Sequence, residues 1–160
     1  MGIYDIASGT FSTGDTHTQT SLSSAFTGGV TLPSGKIIFI PYEASGMGIY
    51  DPEEDKYTDG YQFEFSANPG YAIGGALMMD GRVLLSPWGS NAPGLPIYDP
   101  VADTIEWVSI IGGSAFSYGS ATVLPSGDYF LAGNSDRVIV NTDYKEQPAL
   151  NCMHPLMHVL

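Results

Sequence analysis

Residues 30–42 read VTLPSGKIIFIPY, residues 76–88 read ALMMDGRVLLSPW and residues 122–134 read TVLPSGDYFLAGN. In each stretch a short turn ending in glycine joins two apolar runs. The turn glycines recur at an interval of 46 residues, at Gly35, Gly81 and Gly127. A fixed period of about 40–50 residues built from short strands is typical of β-propeller blades. The repeat therefore predicts an all-β propeller.

Each repeat unit is predicted to contain four antiparallel strands, A to D. Strands A and B flank the glycine turn, at 28–32 and 36–41, 74–78 and 82–87, and 120–124 and 128–132. Strand C is predicted at 48–52 and 95–100, each containing Ile-Tyr-Asp, and at 137–141, where Ile-Val-Asn stands instead. An Asp-Pro turn then leads to strand D. No stretch has the apolar spacing of a long helix, so we expect almost no helix.

Some residues of the repeat have predicted structural roles. Glycine is expected in the A–B turn because this position needs a positive φ. Aspartate is expected to open the C–D turn by accepting backbone N–H groups. One position of strand C is expected to pack between blades instead of forming a site. It is occupied by Tyr4, Tyr50 and Tyr98, with Val140 as the equivalent in the last unit.

The first residues of the chain match only the second half of the repeat. Gly2-Ile3-Tyr4-Asp5 repeats the Gly-Ile-Tyr-Asp of residues 48–51, and no A–B segment precedes it. We therefore expect half a blade at 1–22, blades at 23–68, 69–114 and 115–151, and a tail at 152–160. This gives 14 strands, or 3.5 blades. Because an open sheet edge invites pairing, we expect two chains to close a seven-bladed homodimer.

The fourth strand of the last unit is the weakest part of this pattern. It is expected around 147–151, where the alternation is poor and Pro148 interrupts it.

Composition restricts the classes of function. The 160 residues include 17 acidic and five basic side chains, giving a net charge of −12. Such a chain repels nucleic acids and anionic lipids, so neither is an expected partner. No apolar run is long enough to span a membrane, and no signal peptide is recognised. The single Cys152 excludes an intrachain disulfide, as expected for a cytoplasmic or virion protein.

The segment IYDPVADTIEW at 97–107 carries a family resemblance. Together with the Leu-Pro-Ser-Gly turn, it resembles the kelch-type propeller repeat, and the resemblance covers nearly the whole chain. One departure is the absence of the Gly-Gly pair that usually ends kelch strand B. Residues 40–41, 86–87 and 132–133 stand there instead. The repeat is also similar to repeats of virus and phage structural proteins. Kelch-type domains are mostly binding modules and a few are oxidases, so the resemblance implies little about chemistry.

The connections B–C and D–A differ in length between units, so we expect ligand binding on the face that they share. Aromatic rings with a polar tip suit contact with a sugar or a protein. The alternative is that some of these residues only wedge between blades. The candidate ligand-binding residues are Tyr42, Trp88 and Asn134 at the end of strand B, and Tyr61, Tyr71 and Tyr118 in the D–A stretches.

Metal and catalytic sites are weakly supported by the sequence. The acidic turn with Asp51, Glu53 and Asp55 offers oxygen ligands for a cation. A solvated hairpin tip is the favoured interpretation, because the matching turn of the next unit contains only Asp99 and Asp103. The tail segment 152–158 has no recognised metal spacing, and no nucleophile motif or phosphate loop is present.

We therefore expect a non-enzymatic binding or structural scaffold without a cofactor, such as a virus or phage structural or attachment protein. A lectin-like carbohydrate-binding propeller is the alternative, followed by a glycosidase-like or oxidase-like enzyme.

Overall fold

The structure is a computed structural model that describes residues 1–18, 24–63, 72–89, 94–108, 116–125, 127–133 and 138–141. These residues form strands and turns. The described part of the chain has no helix, and so no helix that could cross a membrane. The strands are β1 Gly2–Asp5, β2 Thr10–Thr13, β3 Phe26–Thr31, β4 Ile37–Pro41, β5 Gly46–Asp51, β6 Lys56–Gln62, β7 Ala72–Leu77, β8 Val83–Gly89, β9 Leu95–Asp99, β10 Thr104–Val108, β11 Phe116–Val123, β12 Tyr129–Gly133 and β13 Val138–Asn141.

Within each unit, consecutive strands pair antiparallel. Strands β1 and β2 form a separate hairpin, called here the N-terminal hairpin. Strands β3–β6 form the first blade, β7–β10 the second, and β11–β13 the described part of the third. The first strands of successive blades contact one another, β3 with β7 and β7 with β11, so they lie innermost. This is the arrangement of a β-propeller.

The turns confirm the predicted roles of their residues. The three turn glycines have φ values of 88°, 89° and 86°. In the C–D turns, Oδ1 of Asp51 accepts the N–H groups of the residues two and three positions later, and Asp5 and Asp99 do the same. Each turn ends on a positive φ, at Gly9, Asp55 and Asp103.

Apolar side chains pack between blades in two clusters. The cluster between the first and second blades includes Ile38 and Ile40 from β4, facing Val83 and Leu85 from β8. The cluster between the second and third blades includes Leu84 from β8 with residues from β11 and β12. Successive residues of β8 therefore face opposite neighbours, as expected from strand alternation.

Two predictions about strand C are wrong. Val140 was expected at the place of Tyr50 and Tyr98, but Asn141 pairs with Tyr129 there, one residue later. Tyr4 is 62% exposed, whereas Tyr50 and Tyr98 are 4% and 0% exposed. The reason is that the tyrosine of strand C packs against the unit that precedes it in the chain. No described residue precedes the N-terminal hairpin in this way, so Tyr4 is left exposed.

The described residues form 13 strands. The predicted fourteenth, around 147–151, lies outside them, as do the tail and the expected boundaries between units. The closure of a seven-bladed ring by two chains stays a prediction.

Candidate binding face

The irregular connections lie together at one end of the blades. The turns A–B and C–D lie at the opposite end. At the end with the irregular connections, the residues before strand A meet the residues after strand B. The N–H of Tyr42 donates to Ala25 O at 2.9 Å, and that of Glu43 to Ser24 O at 3.2 Å. We call this end the loop-rich face. Its described connections are 14–18, 24–25, 42–45, 63 and 94, together with the ends of the strands that they join.

Two aromatic candidates occupy the same position on adjacent blades. Tyr42 follows the end of β4, and Trp88 lies near the end of β8, 46 residues later. Each follows a fully buried proline, Pro41 or Pro87, which fixes the backbone from which the ring projects. Both side chains are partly exposed. They therefore present aromatic surface on the loop-rich face.

The other described candidates pack into the protein. Tyr61 lies in β6 with its ring 5.5 Å from that of Phe63 in an edge-to-face arrangement, and it packs against the first core cluster. Tyr118 is only 6% exposed and belongs to the second cluster. These positions agree with the wedging alternative. Tyr71 and Asn134 lie outside the described residues.

Two carboxylates of the acidic turn, Asp51 and Asp55, already bind groups of the protein. Asp51 pairs with Lys36 Nζ at 3.2 Å besides accepting two N–H groups. Asp55 Oδ1 accepts the hydroxyl of Tyr50 at 2.7 Å and the N–H of Asp15 at 2.9 Å. Glu53 is exposed. In the described ranges no three side chains of metal-binding type come together, so the weak cation site has no support.

A polar seam, not foreseen from the sequence, joins the N-terminal hairpin to the first blade. Asp15 Oδ2 accepts the N–H of Tyr57 at 2.8 Å, and Thr18 Oγ1 donates to Asp59 at 2.8 Å. The N–H of Tyr57 lowers the pKa of the Asp15 carboxyl, since it stabilises the charged form. The seam joins residues about 40 positions apart, which local patterns do not show.

Buried tyrosine hydroxyls lie at this seam and at the equivalent contact between the first and second blades. The bond to Asp55 is the main reason that the pKa of Tyr50 rises to about 12, and burial is the main reason that the pKa of Tyr98 rises. Both phenols are therefore neutral hydrogen-bond donors near neutral pH. One signal was available in the sequence: Gly14 and Gly60 are 46 residues apart, and a Cβ on either would lie 2.9 Å from the hydroxyl of Tyr50 or Tyr98.

An open cavity of about 380 Å³ lies between the N-terminal hairpin and the inner strands of the first blade. Its lining includes Met1 and His17 on one side and Phe26, Gly28 and Phe39 on the other. The rings of Phe26 and Phe39 are 5.5 Å apart, and that of His17 meets Phe26 edge-on at 5.6 Å. The buried Nδ1 of His17 has no hydrogen-bond partner among the described residues. We call this space the hairpin cavity.

No family model and no curated protein sequence matches the chain. Solved structures do match. Virginiamycin B lyase from Staphylococcus aureus aligns with a TM-score of 0.64 at 13% identity, over 88% of this chain and 47% of that one. The extracellular domain of the putative hybrid two-component system BT3049 from B. thetaiotaomicron aligns with a TM-score of 0.58 at 16% identity, over 87% of this chain and 17% of that one. The chain thus spans about half the length of the first neighbour. These likenesses show the propeller fold.

Proposed function

We propose that this chain is a non-enzymatic binding scaffold whose loop-rich face contacts a protein or glycan through Tyr42 and Trp88. The observation that carries the proposal is the repetition of a partly exposed aromatic residue at one position of two adjacent blades. Tyr42 directly follows a paired strand and Trp88 lies within one, so little backbone entropy is lost on binding. A structural or attachment role in a virus or phage particle belongs to the same proposal and is supported by the sequence resemblance alone.

A lectin-like function is the second candidate, and the same residue pair favours it. Aromatic rings with polar tips stack on sugar faces while donating hydrogen bonds from their edges. A neutral glycan also avoids the repulsion that a net charge of −12 exerts on acidic ligands.

The test uses a glycan array and a peptide array probed with the full chain. Hits are then titrated by calorimetry against the Trp88→Ala and Tyr42→Ala variants. We expect each substitution to weaken binding at least about fivefold, because truncation of an energetically important interface aromatic typically costs more than 1 kcal/mol. Trp107→Phe is the matched control, since Trp107 packs against the first core cluster. It also leaves Trp88 as the only tryptophan, so that its fluorescence reports on the proposed site.

Each outcome has a stated meaning. A blank glycan array with peptide hits removes the lectin candidate, and blank results on both arrays contradict the whole proposal. Equal loss of binding in the Trp107→Phe control assigns the effect to folding instead of contact. Cleavage of a bound glycan during the titration would favour a glycosidase-like enzyme.

A further inference from the structure

We propose that the N-terminal hairpin is the outer half of a blade shared between two copies of this chain. The inner half is the A–B pair β11–β12 of the second copy. This inference concerns assembly and does not depend on ligand binding at the loop-rich face.

The first observation is the incomplete cover of the first blade. The N-terminal hairpin covers its outer strands, and Tyr50 is accordingly buried. The inner strands carry partly exposed Phe26 and Phe39, which line the hairpin cavity, and the partly exposed Ile37. Their equivalents in the second blade, 46 residues later, are the fully buried Ala72, Val83 and Leu85. The hairpin cavity therefore lies where a preceding blade would place its strands A and B.

The second observation is an available strand edge. Among the described residues, β1 pairs only with β2, whereas the equivalent strands β5 and β9 each pair with a strand B on their other side. Such an edge is a template for an added strand. Ile3 and Phe11 of the same hairpin are 38% and 69% exposed, which is unusual for large apolar side chains in a small sheet.

The third observation identifies the occupant. Phe130 and Ala132 of β12 are partly exposed on the face that would meet a following blade. The equivalent residues of the first blade, Ile38 and Ile40, are 0% and 2% exposed because the second blade covers them. Among the described residues, no strands cover the inner half of the first blade on its preceding side, and none cover β12 on its following side. A second copy supplies both sets of strands, with Phe130 directed towards the hairpin cavity.

The strand that now pairs with β12 is a poor match to the repeat. In β13 the sequence Ile-Val-Asn replaces Ile-Tyr-Asp, and its pairing with β12 is shifted by one residue relative to the complete blades. Strand β1 has the repeat sequence Gly-Ile-Tyr-Asp and already carries its strand D. We infer that β1 of the second copy replaces β13, as in exchange of an identical element between protomers.

The ring follows from this exchange. Each copy contributes two complete blades and one half of each of two shared blades. Two copies therefore form a closed ring of six blades, and the two-fold axis that relates them is the central axis of the ring. Strand counting predicts seven, because it also counts β13 and the strand expected around 147–151.

The register of the complete blades defines a cross-linking test. Ile38 pairs with Ile49 across β4 and β5, so Phe130 of one copy should pair with Ile3 of the other. In a Cys152→Ser background, the double variant Ile3→Cys, Phe130→Cys is oxidised and run on a non-reducing gel. We expect a covalent dimer of about 34 kDa, twice the chain mass of 17.0 kDa. In the control pair Tyr4→Cys, Phe130→Cys the thiols start from opposite faces of β1, and no dimer is expected.

A second variant avoids the core altogether. Ile3→Asp changes an exposed residue of the strand edge and should convert a dimer to a 17.0 kDa monomer in size-exclusion chromatography. Ile6→Asp, at an 88% exposed position in the C–D turn, should leave the dimer intact. Equal cross-linking of both cysteine pairs, or a folded monomer without substitution, would overturn the shared blade. A monomer whose β1 amides are protected from hydrogen exchange would overturn it too, because another segment of the chain would then cover this edge.

Discussion

Replacing Tyr98 by phenylalanine tests whether the repeat places a buried phenol against the carboxylate that ends each C–D turn. The Tyr98 side chain is 0% exposed, and its hydroxyl donates to Asp103 Oδ1 at 2.9 Å. A hydrogen bond to a charged group contributes about 1.5–3 kcal/mol to stability. Asp103 is exposed, and water replaces the lost donor, so we expect a loss near the lower limit, about 1.5 kcal/mol.

The N-terminal hairpin supplies a matched control. Tyr4 occupies the same repeat position but is exposed, and Gly9 stands where Asp103 stands in the second blade. Tyr4→Phe should therefore change stability by less than about 0.5 kcal/mol. Urea unfolding followed by circular dichroism measures both differences, and the thermal midpoint should fall by about 3–6 °C for Tyr98→Phe.

Two results would refute this reasoning. One is a Tyr98→Phe variant as stable as the original chain, and the other is an equal loss in Tyr4→Phe. The Asp103→Gly variant then separates the hydrogen bond from the turn, since glycine removes the carboxylate and tolerates the φ of 52° at this position. A double-mutant cycle of Tyr98→Phe with Asp103→Gly should give a coupling of about 1 kcal/mol.

Three further predictions concern backbone and charge. Gly74→Ala should destabilise by about 1–3 kcal/mol in urea, because its Cβ would lie 3.1 Å from a backbone Cα of β11, whereas Gly119→Ala, with 3.8 Å to its nearest atom, should be nearly neutral. Gly35→Ala should cost about 1–2 kcal/mol from its φ of 88° alone, since its Cβ would meet no atom within 4 Å; a smaller loss in Gly35→Asn checks this, and an unchanged melting temperature in Gly35→Ala would contradict it. The pKa values of Asp15 and Asp55 are lowered in the folded chain, so their stabilisation is complete above the unfolded value of about 3.9 and is lost as pH falls through the folded values. Urea midpoints at pH 5 and pH 3 should therefore differ less in Asp15→Asn than in the original chain, and an equal difference would contradict the seam.

The repeat made most of the fold predictable. Three glycine turns at a fixed interval located the ends of strands A and B to within two residues, except that β11 begins four residues earlier than expected. The A–B turn needs a positive φ, which glycine adopts readily. The Asp-Pro turns located strands C and D, because the aspartate accepts the backbone N–H groups that open the turn.

What depends on neighbouring sectors was not predictable. The repeat assigned Tyr4 to the core, but its burial requires a preceding sector that the described residues do not provide. Strand β13 carries Val140-Asn141 where the other units carry Tyr-Asp, and its one-residue shift is visible only in its pairing with β12. The contacts of Asp15 cross from the hairpin to the first blade, and nothing in the repeat marks them.

The candidate site was predictable only as a face. The variable connection lengths indicated which end of the blades carries it, and Tyr42 and Trp88 are partly exposed there. Sequence spacing did not distinguish them from the buried Tyr118. A β-bulge at the start of strand A changes which side chains face the core, and the sequence does not show the bulge. This bulge lies between Tyr118 and Ser120, and it recurs at the same place in the other two blades.

The mass of the unmodified chain in solution tests the central claim most directly. Multi-angle light scattering across a dilution series should give about 34 kDa, twice 17.0 kDa, because we propose that two copies share blades and close one ring. A folded species that stays at 17.0 kDa at every concentration would contradict it.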